Sequence, residues 1–251
     1  MGPREGHPPF SRDWCVFLDI DGTLLEHKDH PDDVSVDWAL RGLLVRLSSG
    51  LDRAVALISG RSIEDVERLF APLLVPVAGL HGVEYRDARG MVQRHPSDER
   101  ALFSARAHLE QVAAQNAGLF FEDKGLNLAL HYRTAPALSD FAESAIRAVA
   151  RDLGHRFEIQ KGKMVWEVKP SGHDKGTAID EYLDEAPFAG RVPVFVGDDL
   201  TDEVGFQLVN ARGGHSIKVG PGRTRAQWRL ADARAVRGFL SALAGFVDGR
   251  A

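Results

Sequence analysis

Two aspartates stand two residues apart in the run Val16-Phe17-Leu18-Asp19-Ile20-Asp21-Gly22-Thr23-Leu24-Leu25. Side chains at that spacing on an extended chain point the same way, so Asp19 and Asp21 can face one spot. Carboxylates so close repel each other, and a hard cation such as Mg²⁺ relieves the repulsion. One carboxylate can then attack an electrophile while the other moves a proton. Gly22 allows a sharp backbone turn. Thr23 offers a hydroxyl to a phosphate or to the cap of the next turn. Asp, Gly and Thr are also common turn formers, so the pattern alone equally describes a polar turn after a strand.

Three further clusters add weight. Ser59-Gly60-Arg61 follows the apolar run Val55–Ile58. Lys175-Gly176 opens a helical stretch expected over Thr177–Leu183. Gly197-Asp198-Asp199-Leu200-Thr201-Asp202 follows the apolar run Val192–Val196. Short apolar runs without alternation, such as Cys15–Leu18, read as strands buried on both faces of a parallel sheet. Ligands bind such sheets at the carboxyl ends of the strands. Four loops of one sheet would thus gather acids, hydroxyls and a lysine, a mixture suited to a phosphate dianion bridged to Mg²⁺.

The elements between these clusters have the order such a sheet requires. Val36–Ser48 has helical spacing, with Trp38, Leu40, Leu44 and Leu47 apolar and Gly50 placed as a C-terminal cap. Ser62 reads as the N-cap of a helix ending near Phe70. Val75–Ala78 reads as a third strand before Gly79-Leu80-His81-Gly82-Val83-Glu84. Strand and helix alternate here as in right-handed parallel crossovers. From residue 93 the order changes. A long helix over Glu99–Ala117, a hairpin about Asp123-Lys124-Gly125, a helix over Ala137–Leu153 and a hairpin about Lys161-Gly162-Lys163 describe an α+β unit. The last strand and helix are expected at Ile217–Val219 and Asp232–Val247. The fold class is therefore α/β, a Rossmann-like parallel-sheet core (1–92 and 170–251, with 1–12 a loose tail) carrying an inserted α+β cap (93–169).

Composition sets outer bounds. The chain has 251 residues, 44% hydrophobic, and a net charge of −5, so no broad basic field marks a nucleic-acid or anionic-membrane partner. The single cysteine, Cys15, excludes an internal disulfide and fits a reducing cytoplasm. No run approaches transmembrane length, and residues 1–13 lack the apolar core of a secretion signal. A monomer acting on a small molecule is expected. His27 and His30, in the polar stretch Glu26–Asp33, read as solvated loop residues.

The four motifs, in this order, resemble those of the haloacid dehalogenase superfamily of phosphatases, and the insert's position resembles a type C2 cap. A closer resemblance, to trehalose-6-phosphate phosphatases, rests on several stretches. They are Gly79–Glu84, Glu122-Asp123-Lys124 with His131-Tyr132-Arg133, Lys161-Gly162-Lys163 with Glu167, Lys169-Pro170-x-Gly172-x-x-Lys175-Gly176, and Ile217-Lys218-Val219-Gly220 with Thr224 and Arg229–Asp232. The resemblance implies that Asp19 attacks phosphorus and that Asp21 is the general acid and base. It implies that Mg²⁺ is held by Asp19, the Asp21 carbonyl and Asp198. Lys175 would offset charge, and Thr23, Ser59, Gly60 and Arg61 would serve the phosphate. Arg61 could equally pair with the acids. Asp199 and Asp202 would hold metal waters or orient Lys175. Glu122, Lys124, Arg133, Lys163 and Glu167 of the cap would recognise the sugar. Trp14, Trp38, Trp166 and Trp228 are scattered and read as core or cap packing, with Trp166, beside Glu167, the one to test for stacking. Another sugar phosphate (sucrose 6-phosphate or a glycerate-linked one) and phosphohexomutase chemistry remain alternatives.

Overall fold

A computed structural model describes residues 2–28, 33–94 and 99–249, and the counts below refer to those residues. In chain order the strands and helices are β1 (Arg4–Glu5), β2 (Trp14–Leu18), α1 (Trp38–Gly50), β3 (Val55–Ile58), α2 (Ile63–Phe70), β4 (Val77–Gly79), β5 (Glu84–Arg86) and β6 (Val92–Arg94). Then come α3 (Glu99–Gln115), β7 (Phe120–Asp123), β8 (Leu128–His131), α4 (Ser139–Leu153), β9 (Phe157–Gly162) and β10 (Val165–Pro170). The chain continues through α5 (Lys175–Leu183), β11 (Val192–Gly197), α6 (Glu203–Ala211), β12 (His215–Val219), β13 (Trp228–Leu230) and α7 (Ala233–Val247). Contacts divide the chain into two compact units, Met1–Gln93 with Asp174–Ala251, and Arg94–His173.

The first unit is built on a sheet of order β1-β13-β12-β11-β2-β3-β4-β5-β6, nine strands among the described residues. From β1 to β4 every neighbouring pair is parallel, whereas β5 runs antiparallel to β4. Alternate side chains of the central strands enter different cores, as strand geometry requires. Trp14, Val16, Leu18, Val55, Leu57, Val194 and Val196 meet the apolar faces of α1, α2 and α7. Cys15, Phe17, Ala56, Ile58 and Phe195 meet α5 and α6 on the opposite side. This explains the unbroken apolar runs: with helices on both faces, neither set of side chains reaches water.

Several local expectations shift. Asp37 caps α1 by accepting from the Leu40 amide at 2.7 Å, and Gly50 lies inside the helix, with Leu51 as its C-cap. Leu40, Leu44 and Leu47 are buried, but Trp38 is 75% exposed and lies beneath the Arg41 guanidinium. The segment read as a loose tail is tied down instead. Arg4 and Glu5 pair with Trp228 and Arg229, Phe10 packs against Trp14, Phe239 and Phe246, and Arg12 donates to the Val247 carbonyl at 2.6 Å. Strands β5 and β13 and helix α6 had no sequence expectation.

In the second unit, α3 and α4 pack on one face of a four-stranded antiparallel sheet of order β7-β8-β10-β9. Register sorts its side chains. Phe121, Leu130, Trp166 and Lys161 share the helix-covered face; Glu122, Ala129, Glu167 and Gln160 share the other. Trp166 is therefore core, packed among apolar side chains with Lys161 over its ring at 4.8 Å, and is not a stacking surface beside Glu167. Adjacent strand residues point to opposite faces.

Candidate active site

The acidic loops meet where β3, β2 and β11 lie side by side. Asp19 follows β2 directly, and its amide donates to the Val196 carbonyl of β11 at 3.0 Å. The Asp19 carboxylate is buried and each oxygen accepts one hydrogen bond: Thr23 Oγ1 donates to Oδ2 at 2.9 Å, and Lys175 Nζ donates to Oδ1 at 2.7 Å. Lys175 also donates to Asp202 Oδ1 at 2.6 Å. It is the first residue of α5, whose N-cap Asp174 forms a capping box with Thr177. A lysine at a helix N-terminus opposes the macrodipole; the two carboxylates hold it there.

Asp202 is fully buried and lies just before α6, as its N-cap residue. Its Oδ2 accepts from the Asp199 amide at 2.8 Å. A side chain on Gly197 would strike it, since a Cβ there would stand 2.4 Å from Asp202 Cγ. The glycine thus admits the carboxylate under the loop. Burial pushes the Asp19 and Asp202 carboxyls above the usual carboxylate range, against the pull of Lys175. Burial also disfavours the Lys175 ammonium, but facing two carboxylates it is held above its ordinary pKa.

Asp198 completes the cluster: atoms of Asp19, Asp198 and Asp202 lie within 4.8 Å of one another. The buried Lys218 fixes this loop by donating to the Asp198 and Val219 carbonyls. Gly22, at φ +88°, keeps the space before Asp198 clear, because a Cβ there would stand 2.2 Å from Asp198 Oδ2. Three carboxylates thus lie together, two of them bonded to one buried ammonium. All the carboxylate donors are hard oxygens, and the excess negative charge suits a divalent cation such as Mg²⁺.

Other expected residues fall as follows. Asp21 turns its carboxylate to Arg61, which binds it through two hydrogen bonds of 2.7 Å. Arg61, expected equally for phosphate or for an acid, here pairs with an acid. Ser59 is buried at the end of β3 and its Oγ accepts from the Arg61 amide at 3.1 Å, which leaves its proton for another partner. Gly60 lies against the buried His81 ring, itself at φ +58°. In the second unit, Lys124 Nζ donates to Glu167 Oε1 at 2.6 Å and lies 3.6 Å from Glu122 Oε2, which also meets His131 Nε2 at 2.7 Å. Arg133 donates to the Lys163 carbonyl at 3.1 Å.

Three residues escaped the sequence reading. His131 belongs with the Glu122–Lys124–Glu167 group on one sheet face, as its register opposite Phe120 shows. Lys218 is a buried lysine in an apolar strand, itself a legible signal. His27 is not a solvated loop residue: its Nε2 lies 2.8 Å from Asp198 Oδ2. His30 lies outside the described residues.

A largely parallel sheet with helices on both faces is also the fold of a haloacid dehalogenase-like hydrolase from B. subtilis, which superposes with a TM-score of 0.66 at 15% identity over 91% of this chain and 99% of the other. A trehalose-6-phosphate phosphatase related protein superposes with a TM-score of 0.78 at 27% identity, over 94% of this chain and 99% of the other. The C-terminal domain of C. albicans trehalose-6-phosphate phosphatase gives 0.83 at 24% identity over 93% of each, which speaks to the fold. The trehalose-phosphatase family matches residues 17–234. The trehalose-6-phosphate phosphatase of Escherichia coli (strain K12) is 44% identical over 230 residues, covering 91% of this chain and 86% of that one. The chain belongs to the trehalose-phosphatase family and is a phosphoric monoester hydrolase.

Proposed function

We propose that the protein hydrolyses trehalose 6-phosphate to trehalose and phosphate through an aspartyl-phosphate. The observation that carries this is the buried Lys175 ammonium between Asp19 and Asp202 with Asp198 alongside: a carboxylate nucleophile needs a neighbouring cation to approach a phosphate dianion. An Asp19 carboxylate oxygen bonds to phosphorus as the bond to the sugar oxygen breaks, and Asp21 gives that oxygen its proton. Water then attacks the phosphorus, passes a proton to Asp21, and the bond to Asp19 breaks. Arg61 binds both Asp21 oxygens here, so one of them must leave Arg61 for Asp21 to carry that proton, and the pair re-forms when Asp21 is ionised. The Ser59 hydroxyl and the Gly60 amide donate to phosphate oxygens, and Thr23 fixes the nucleophile. Asp19, Asp198 and the Asp21 carbonyl would hold Mg²⁺, which would supply further charge neutralisation on the phosphoryl group.

For specificity we look to the polar sheet face of the second unit. Glu122, Lys124 and Glu167, with Lys163 and Arg133 at the adjoining turn, offer charged partners for sugar hydroxyls. A sugar lacking the matching hydroxyl would leave them unpaired, which discriminates well. The cytoplasm is the proposed location, supported by the single cysteine, Cys15, which is buried and can form no internal disulfide. No helix among the described residues is long and apolar enough to cross a membrane.

The test is phosphate release over a panel of sugar phosphates, with Mg²⁺ and with EDTA. Trehalose 6-phosphate should be the preferred substrate and EDTA should stop turnover. Asp19→Asn should remove activity while unfolding stays cooperative. Undiminished release by Asp19→Asn would refute the nucleophile assignment. A faster reaction with sucrose 6-phosphate, or an isomerised sugar phosphate in place of free phosphate, would refute the substrate.

A further inference from the structure

The three residues after β4 share an uncommon backbone conformation. Leu80 is at φ +50°, His81 at +58° and Gly82 at +97°. Left-handed φ suits glycine, is tolerated by histidine, and is an outlier for a bulky residue such as leucine. Leu80 and His81 are both buried. Strain of this kind persists only where the surrounding structure holds it, and it gathers at functional sites.

The turn is laced to the loop after β3. The Leu80 amide donates to the Arg61 carbonyl at 2.9 Å, and the His81 amide donates to the Ser59 carbonyl at 2.9 Å. These two bonds bracket Gly60. The Ser59 carbonyl and the Gly60 N–H belong to one planar trans peptide, so they point in opposite directions. Fixing that carbonyl on His81 therefore aims the Gly60 N–H away from the turn. Nothing among the described residues accepts from this N–H. The imidazole adds a second restraint, because a Cβ on Gly60 would stand 2.6 Å from His81 Nε2 and 2.7 Å from Cε1. Only a glycine leaves room for the ring there. On its other flank the turn meets the start of α5: a Cβ on Gly82 would stand 2.8 Å from the Asp174 carbonyl oxygen, one residue before Lys175.

We propose that His81 is a positioning residue for phosphate: its left-handed backbone and its ring together hold the Ser59–Gly60 peptide so that the Gly60 N–H donates to a phosphate oxygen. The inference rests on the reading given above of Ser59 and Gly60 as phosphate donors. Glycine is the residue most able to change φ and ψ, so the Gly60 amide keeps one direction only while something outside the loop restrains it. The turn supplies that restraint before phosphate arrives, and the donor needs no reorganisation on binding.

Calorimetric titration with inorganic phosphate in MgCl₂ tests this. KM and kcat for p-nitrophenyl phosphate, which carries no sugar, give a second readout. His81→Ala should raise the phosphate Kd and the KM by about 10–100-fold, the effect of losing one hydrogen bond to a charged group, with a smaller change in kcat. His81→Asn tolerates the left-handed backbone but lacks the ring, so it should fall between the unaltered protein and His81→Ala. Gly60→Ala drives a Cβ into the ring, and His81→Gly removes that obstruction, so their losses of phosphate affinity should be non-additive. Unchanged phosphate Kd in His81→Ala and His81→Asn, whatever their Tm, would make His81 a packing residue and overturn the proposal. Strictly additive losses in the Gly60 and His81 pair would also overturn it. Should His81→Ala fail to fold, His81→Asn and the pair decide. Unchanged phosphate affinity in Ser59→Ala and Gly60→Ala would refute the phosphate reading of the loop and the proposal with it. A loss in those two with none in the His81 variants would refute the proposal alone.

Discussion

Replacing Lys175 by Met keeps most of the volume and removes the charge. Lys175 is 3% exposed, and its two hydrogen bonds, 2.7 Å to Asp19 and 2.6 Å to Asp202, both go to buried carboxylates. Removing one partner from a buried ionic group costs about 3–5 kcal/mol, because the remaining charges stay buried and uncompensated. Solvent screening gives little relief at this exposure. Taking about 4 kcal/mol, and a fall of roughly 2–4 °C per kcal/mol for a unit of this size, Tm should drop by about 8–16 °C. Calorimetry in EDTA is the appropriate assay, since a bound divalent cation would partly replace the missing charge. Adding Asp202→Asn removes one of the two stranded carboxylates. The double variant should therefore recover part of the loss, with a coupling of about 1–3 kcal/mol. Turnover should fall by about 10²–10³ in both. A loss below about 1 kcal/mol for Lys175→Met, or strictly additive effects in the pair, would refute the view that Lys175 holds the acid cluster together.

Phe10 packs against Trp14, Phe239 and Phe246, so Phe10→Ala should destabilise the first unit by about 1–3 kcal/mol in urea unfolding, and no change would return residues 2–12 to the status of a tail. Glu122 behaves differently with pH. Burial acts to raise its carboxyl pKa, but Lys124 and His131 together bring it below the usual value. Its contribution to stability is thus present above the unfolded carboxyl value and lost as pH falls through the lower folded one. Glu122→Gln should flatten the acid side of the second unit's stability curve, followed by Trp166 fluorescence, and an unchanged curve would refute the pairing. Lys163 and Glu167 substituted together should lower turnover of trehalose 6-phosphate far more than that of p-nitrophenyl phosphate; equal losses on both substrates would remove the sugar-binding role.

What could be read from the sequence follows from how each signal is generated. Strands β2, β3 and β11 were legible because burial on both faces forces unbroken apolar runs, and the acidic loops after them carry glycines at the turns. Strand β1 left no such trace. Arg4 and Glu5 are exposed, and their pairing is set by β13, near the other end of the chain. Helix α6 opens on Asp202, which makes no side-chain cap to its own helix and instead bonds Lys175, so the usual start signal is absent. Packing was the favoured reading of Trp166, with stacking beside Glu167 left to test, and strand geometry alone decides between them. Adjacent residues in a strand point to opposite faces, so a tryptophan next to Glu167 could not share its surface.

His27 and Lys175 mark the two kinds of residue that local pattern cannot place. A single histidine in a polar loop has no periodicity, and its partner is 171 positions away. Lys175 could be found by motif, but its role depends on an arrangement that local rules disfavour. A cation at the start of a helix faces the positive end of the dipole, and a buried ammonium is costly unless paired. Both costs are offset only because Asp19 and Asp202 arrive from two other segments to accept its hydrogen bonds. The conflict between the local rule and the buried lysine therefore locates the site, because it is resolved only by the tertiary meeting of carboxylates that the proposed phosphoryl transfer requires.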